Sequence, residues 1–377
     1  MSDDRVAARR RILDAHGAAQ STIDELLAYS AKPFEEPVCP TFPLADEPHA
    51  DVWRSYAADG TRDGAWESLR RHFVQLRVPI RAGVSQEPAY QAATRRGQSA
   101  AADEEFAPGL VLARPDGLHL SIQATIAGGV PILVADERRD FVALVQAFSE
   151  RNEPVDVPPS MGACIVNGLN NWDRVAAYRE QWERANPEDA DTGWGNEFKR
   201  FAARKELYQD RFIILSRGPY SAIAARDVGL ADDDWLARSL VVRREHECTH
   251  YFTYRVFRSM RNNVFDELIA DFVGLVRAFD GYRGDLARRF LGLEAFPTIR
   301  PGSRLEVYRS GLSDAALPTI GSLAVAAAGN LQTLSDSHPA IVGDLTSLAR
   351  LTYVLSLLTL EELASEDMPQ LVAARMA

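Results

Sequence analysis

Long apolar runs are missing from this sequence. The two richest stretches, Ile320–Gly329 and Leu351–Leu360, fall short of the roughly 18 residues that a membrane helix needs, and both contain polar side chains. Cysteine is scarce. Three of 377 residues (Cys39, Cys164 and Cys248), scattered and odd in number, make no disulfide framework. Positive charge is also short, with 42 Lys and Arg against 53 Asp and Glu, a net charge of −11. A chain this acidic repels phosphate backbones, so nucleic acid is not expected as a partner. No apolar signal core follows Met1, and the chain holds neither an internal repeat nor a long linker. These absences predict a cytoplasmic protein with no membrane partner, and they leave its oligomeric state open. What remains is ordinary globular material: 46% hydrophobic and 25% charged residues, enough for a sizeable core. The length suits two or three units, or one two-lobed enzyme.

The front of the chain mixes helix, loop and strand. Helices are predicted over 3–29 and 64–78 from apolar periodicity. Between them lies a loop carrying Pro33, Pro37, Pro40, Pro43 and Pro48, and residues 85–109 read as a surface segment with some helix. Runs at 110–114, 118–124 and 130–135 are broken by Pro115-Asp116-Gly117 and by Gly128-Gly129, turn chemistry that predicts antiparallel strands. Helices at 139–149 and 172–185, a strand at 211–216 and an extended segment at 219–225 follow. Beyond residue 232 the pattern is helical, with helices predicted over 234–256, 263–279, 317–334, 340–358 and 361–374. The expectation is an α+β protein: an N-terminal helical and loop region over 1–108, an α/β lobe with a small, mainly antiparallel sheet over 109–230, and a helical lobe over 231–377.

One motif carries chemistry. Residues 246–250 read His-Glu-Cys-Thr-His, an HExxH match inside a predicted helix. Histidines at i and i+4 lie on one helical face, one turn apart, so both imidazoles can reach one metal ion. Glu247 points about 100° round the helix, where it can meet a water bound to that ion. With 7 His and 24 Glu in the chain, chance alone gives such a match in about one sequence in a hundred. Cys248 falls on the far side of the helix and reads as packed.

The downstream helix strengthens the case. Asn263 is a good N-cap with Asp266 at the third helical position, so a new helix should start there. Sixteen residues separate His250 from Glu267. Running on, turning and returning over similar lengths brings Glu267 opposite His250, where a third ligand is needed. Asp271, Ala270, Gly274 and Ala278 share the sector of Glu267, so the stripe facing the metal is two carboxylates and three small residues. Small residues allow close approach of the two helices. Asp271, one turn beyond Glu267, can accept the remaining N–H of a ligand histidine.

His246-Glu247-x-x-His250 with Glu267-x-x-x-Asp271 resembles the gluzincin superfamily of zinc metallopeptidases, to which thermolysin belongs. The resemblance covers residues 246–271. It implies one zinc ion held by His246, His250 and Glu267, with Glu247 as general base and Asp271 orienting a ligand histidine. The spacing to the third ligand is slightly shorter than in thermolysin, Asp266 stands where an asparagine is common, and no glycine-rich exopeptidase motif is present. A metzincin reading fails for want of a third histidine at short spacing.

The expected activity is metal-assisted hydrolysis of a peptide bond with a narrow range of substrates. The alternatives are a zinc hydrolase of a small non-peptide substrate, and a non-catalytic binding or scaffold protein with a structural metal site. An oxyanion donor is expected downstream, with Tyr308 and His338 the first candidates and Tyr282 and Tyr353 behind them. Arg255, Arg258 and Arg261 could clamp a substrate carboxylate, but pairing with the helix C-terminus is the favoured reading. His16, His49, His72 and His119 have no partner at ligand spacing. Residues 219–225 are expected, by analogy with the superfamily, to offer an edge strand to an extended peptide.

Overall fold

The computed structural model describes residues 3–31, 37–188, 193–261, 263–309 and 311–376, so Pro33 of the proline-rich loop lies outside them. Runs of β-branched and apolar residues bounded by turns form the strands β1 (Leu118–Thr125), β2 (Gly128–Ala135), β3 (Ala163–Asn170) and β4 (Gln209–Ser216). They make one sheet in the order β1-β2-β4-β3. Val130, Ile132 and Leu133 of β2 and Phe212 to Leu215 of β4 are buried in continuous runs rather than alternating, as central strands covered on both faces are. The rest of the chain is mostly helical, which places the protein in the α+β class as expected.

The small sheet is mixed. β2 and β4 run parallel, with Ile132 opposite Ile213 and Leu133 opposite Ile214. β3 pairs antiparallel with β4, Cys164 opposite Ile214, with an irregularity between Asn167 and Leu169. The segment 110–114 forms no strand. Asp140 takes the N–H groups of Ala113 (2.7 Å) and Arg114 (2.9 Å), which a neighbouring strand would otherwise need. β3 gives no alternating pattern in the sequence, because Gly168, at φ +89°, interrupts it.

The compact units are drawn differently from the expected three-way split. One comprises Met1–Leu44, Thr125–Ala127 and Pro219–Ala377; the other comprises Ala45–Ala124 and Gly128–Gly218. In the first, the N-terminal helix Asp3–Ala15 joins the C-terminal helices through ion pairs that cross the whole sequence. Arg5 binds Glu362 through two 2.6 Å bonds, and the fully buried Arg9 meets Glu361 at 3.1 Å. Sequence order cannot reveal such pairings. In the second, the sheet packs on the helix Arg138–Phe148, with Phe141, Leu144 and Phe148 joining Leu133, Phe212, Trp53 and Phe73 in one core.

Helix boundaries follow local chemistry. The expected helix over 3–29 breaks at Gly17 (φ +77°) and resumes at Ile23. The expected helices over 340–358 and 361–374 are each divided in two. A helix at Ala50–Asp63 is absent from the sequence reading because Gly60 interrupts its pattern. That glycine lies at a close contact, since a Cβ there would be 3.2 Å from the Cα of Ala65. Among the described residues no helix is long and apolar enough to cross a membrane.

Candidate metal centre

Two helices of the first unit carry the centre. The ligand helix, Asp232–Phe257, opens with Asp232, Asp233 and Asp234, favourable at a helix N-terminus, and ends on Arg258 in the left-handed region (φ +55°). The partner helix, Val264–Phe279, starts from Asn263, whose side chain accepts the N–H of Asp266 at 2.9 Å, as the cap in the sequence predicts. The small-residue stripe sets how closely the helices pack. A Cβ on Gly274 would lie 2.8 Å from the carbonyl oxygen of Val242, so only glycine fits this crossing without a backbone shift. The approach brings Glu267 to the two histidines of the other helix.

His246, His250 and Glu267 are buried, at 5%, 9% and 2% exposure, and their donor atoms converge. The Nε2 atoms of the histidines are 3.1 Å apart. Glu267 places Oε2 3.4 Å from His246 Nε2 and Oε1 3.3 Å from His250 Nε2. A tetrahedral zinc ion, with donors at about 2.0–2.1 Å, holds its donors about 3.3 Å from one another. The two imidazole nitrogens lie close to that spacing and each has one Glu267 oxygen at a similar distance, so the residues fit the ion that the sequence implies. Among the described residues these three are the group that could hold a metal, with no fourth side chain joining them.

Asp271 stands behind His246, as expected from the four-residue step. Its Oδ1 accepts His246 Nδ1–H at 2.8 Å, which turns Nε2 toward the centre. Glu247 has a different setting. It is partly exposed, and no described residue holds its carboxylate, so it remains available to a solvent molecule. Cys248 is fully buried on the opposite side of the helix, and burial pushes its thiol well above the usual range.

Two residues in the centre were not foreseen. Tyr220 is buried, donates its O–H to Asp271 Oδ1 at 2.7 Å and lies 2.9 Å from His246 Nδ1. It belongs to a tight turn, Tyr220–Ala222, followed by the short helix Ala225–Val228, so the expected edge strand over 219–225 does not form. The backbone amide of Tyr220 is taken by the hydroxyl of Ser239 instead. Ser221 and Ala222 both adopt positive φ, at +50° and +57°, a rare conformation for non-glycine residues. Arg304 is the second. Its Nη2 donates to Glu267 Oε2 at 2.5 Å, and its Nη1 to Asp271 Oδ2 and Ser221 Oγ, both at 3.1 Å.

The electrostatics are those of buried carboxylates balanced by neighbouring cations. Burial would raise the carboxyl of Glu267, but His246 and His250 hold it well below the usual range. Burial likewise opposes ionisation of Asp271, and Arg304 and His246 outweigh it. The imidazole of His246 is pulled down by burial, yet Asp271 and Glu267 carry it up to about 10. Burial and the neighbouring carboxylates push Tyr220 well above its usual value, so it stays a neutral donor.

The other candidates separate clearly. Tyr308 lies next to the centre, its ring 5.5 Å from the Arg304 guanidinium, and burial raises its hydroxyl to about 12. His338 ends the helix Leu317–Ser337 and bonds the carbonyl of Leu334 at 3.2 Å. Tyr282 is buried against Phe272, and the hydroxyl of Tyr353 is bound to the carbonyl of Pro37. Arg255 bonds the carbonyl of Ala127. Arg261 bonds that of Ala31 and pairs with Asp266 at 3.4 Å in the first turn of the partner helix, whereas the bond of Arg255 goes to the turn between β1 and β2.

No curated protein and no solved structure matches this chain. A family model does, over residues 11–367, which includes both helices of the centre, Tyr220 and Arg304. The chain belongs to the family of unknown function DUF7005.

Proposed function

We propose that this protein is a zinc-dependent hydrolase that cleaves a peptide bond. In this reading His246, His250 and Glu267 hold one zinc ion, Asp271 orients His246, and Glu247 is the general base. One observation carries the reading: two imidazole nitrogens and a carboxylate, buried on adjoining helices, converge at 3.1–3.4 Å. Among the described residues no fourth His, Cys, Asp or Glu joins the three, which favours a site with room for water over a closed structural one. A peptide is the substrate class implied by the resemblance of residues 246–271 to the gluzincins, and a cytoplasmic setting is part of the same proposal.

When bound, zinc would supply a water of lowered pKa and polarise the substrate carbonyl. The chain's own residues do the rest. Asp271 keeps the proton of His246 on Nδ1, so that Nε2 remains a donor to the ion. Glu247 accepts a proton from the attacking water on a carboxylate oxygen, and passes it to the nitrogen of the leaving amine.

The test is cleavage of a peptide library, read as new termini by mass spectrometry. Zinc-loaded protein should cut it, and Glu247→Gln should keep its zinc while losing about 10²–10⁴-fold in rate. Undiminished cleavage by that variant, or cleavage that survives chelation, overturns the reading.

A further inference from the structure

Arg304 is built into the centre more firmly than a surface ion pair requires. Its guanidinium spans both carboxylates, through Nη2 to Glu267 and Nη1 to Asp271, and also meets Ser221 Oγ. It lies 5.5 Å from the centroids of both the Tyr220 and the Tyr308 rings, favourable cation–π contacts that hold it independently of the carboxylates. Burial would weaken its charge, but Asp271 and Glu267 keep it fully protonated. Removing the guanidinium would leave two ionised carboxylates, each no more than 3% exposed, without a permanent cation. The same guanidinium stands one carboxylate away from the point where the three donors converge, and it repels any cation there.

On the reading of the centre as a zinc site, we propose that Arg304 is its built-in counter-cation. It keeps the metal-free centre folded, and it lowers the affinity for the metal below what the three donors alone would give. The two effects have opposite signs on removal, which separates this role from simple ligand positioning. A residue that only steadied Glu267 would weaken metal binding when lost. A residue that only bound substrate would leave metal binding unchanged.

The experiment is competitive zinc titration of the full-length protein, beside thermal melting of the metal-free and zinc-loaded forms, for wild type, Arg304→Met and Arg304→Lys. The methionine variant should bind zinc about tenfold tighter or more, and its metal-free form should melt at lower temperature. A methionine variant that folds only with zinc present supports the proposal equally. The lysine variant keeps the charge but not the two-nitrogen span, and its zinc affinity should lie closer to wild type than to the methionine variant. Unchanged or weaker zinc binding by Arg304→Met, with normal uptake by wild type, overturns this inference and leaves the site assignment standing. Failure of wild type to take up zinc overturns both.

Discussion

Two buried carboxylate networks in this protein can be set side by side. In the unit that carries the sheet, Asp210 is fully buried and accepts bonds from Trp53 Nε1 (2.8 Å), Asn171 Nδ2 (2.6 Å) and Arg174 Nη1 (2.6 Å). One anion meets one cation and two neutral donors, and the set is closed. In the helical unit, Glu267 and Asp271 share one arginine, and two imidazole nitrogens face each other across 3.1 Å. In that set Arg304 and the imidazoles balance two carboxylates, and the donor atoms of three side chains turn toward one spot. The titration of the two aspartates reflects the contrast: burial dominates at Asp210 and raises it, whereas Arg304 and His246 overcome burial at Asp271 and lower it. Burial of a carboxylate is therefore not the mark of a site. Convergence without closure is.

The comparison breaks most sharply through stability. Asp210→Ala strands the Arg174 guanidinium and should cost about 3–5 kcal/mol of folding free energy, while any chain that folds keeps its zinc. Glu267→Gln should do the reverse, losing most zinc affinity with a smaller change in the melting of the metal-free form. Denaturant unfolding beside zinc titration checks both, and zinc loss in Asp210→Ala would erase the distinction. A smaller effect belongs to Asp271→Asn, which should weaken zinc binding by about 10–100-fold. Equal affinity in a competitive titration would reduce Asp271 to a structural anion.

The smallest effect is in pH. His246 is raised from 6.5 to about 10 in the metal-free protein. Its stabilising contribution is fully present below pH 6.5 and is lost as pH rises toward 10. Metal-free protein should accordingly lose stability between pH 7 and 10, and the zinc-loaded form, with Nε2 committed to the ion, should not. Melting temperatures of the two forms across that range decide it. Parallel profiles would mean that His246 is not the residue whose charge the metal displaces.

Much of the centre was legible in the sequence because it is written locally. Helical spacing puts His246 and His250 on one face, the Asn263 cap starts the partner helix, and the small residues around Gly274 announce a close crossing. Tyr220 and Arg304 were not legible. They stand 26 residues before His246 and 37 after Glu267, on a tight turn and a four-residue helix without periodicity. Their place depends on tertiary packing alone. The parallel pairing of β2 with β4 was hidden for a similar reason, since the turn at Gly128-Gly129 speaks only for the adjacent strands. The helix at Ala50–Asp63 escaped because its glycine serves a close contact rather than a break.

The central claim is that His246, His250 and Glu267 together bind one metal ion. It is tested most directly by titrating zinc into metal-depleted wild type and His250→Ala, with circular dichroism to confirm that both are folded. Wild type should take up about one zinc per chain, removable by chelator, and the folded variant should take up almost none. Equal uptake by the two, or none by folded wild type, would contradict it.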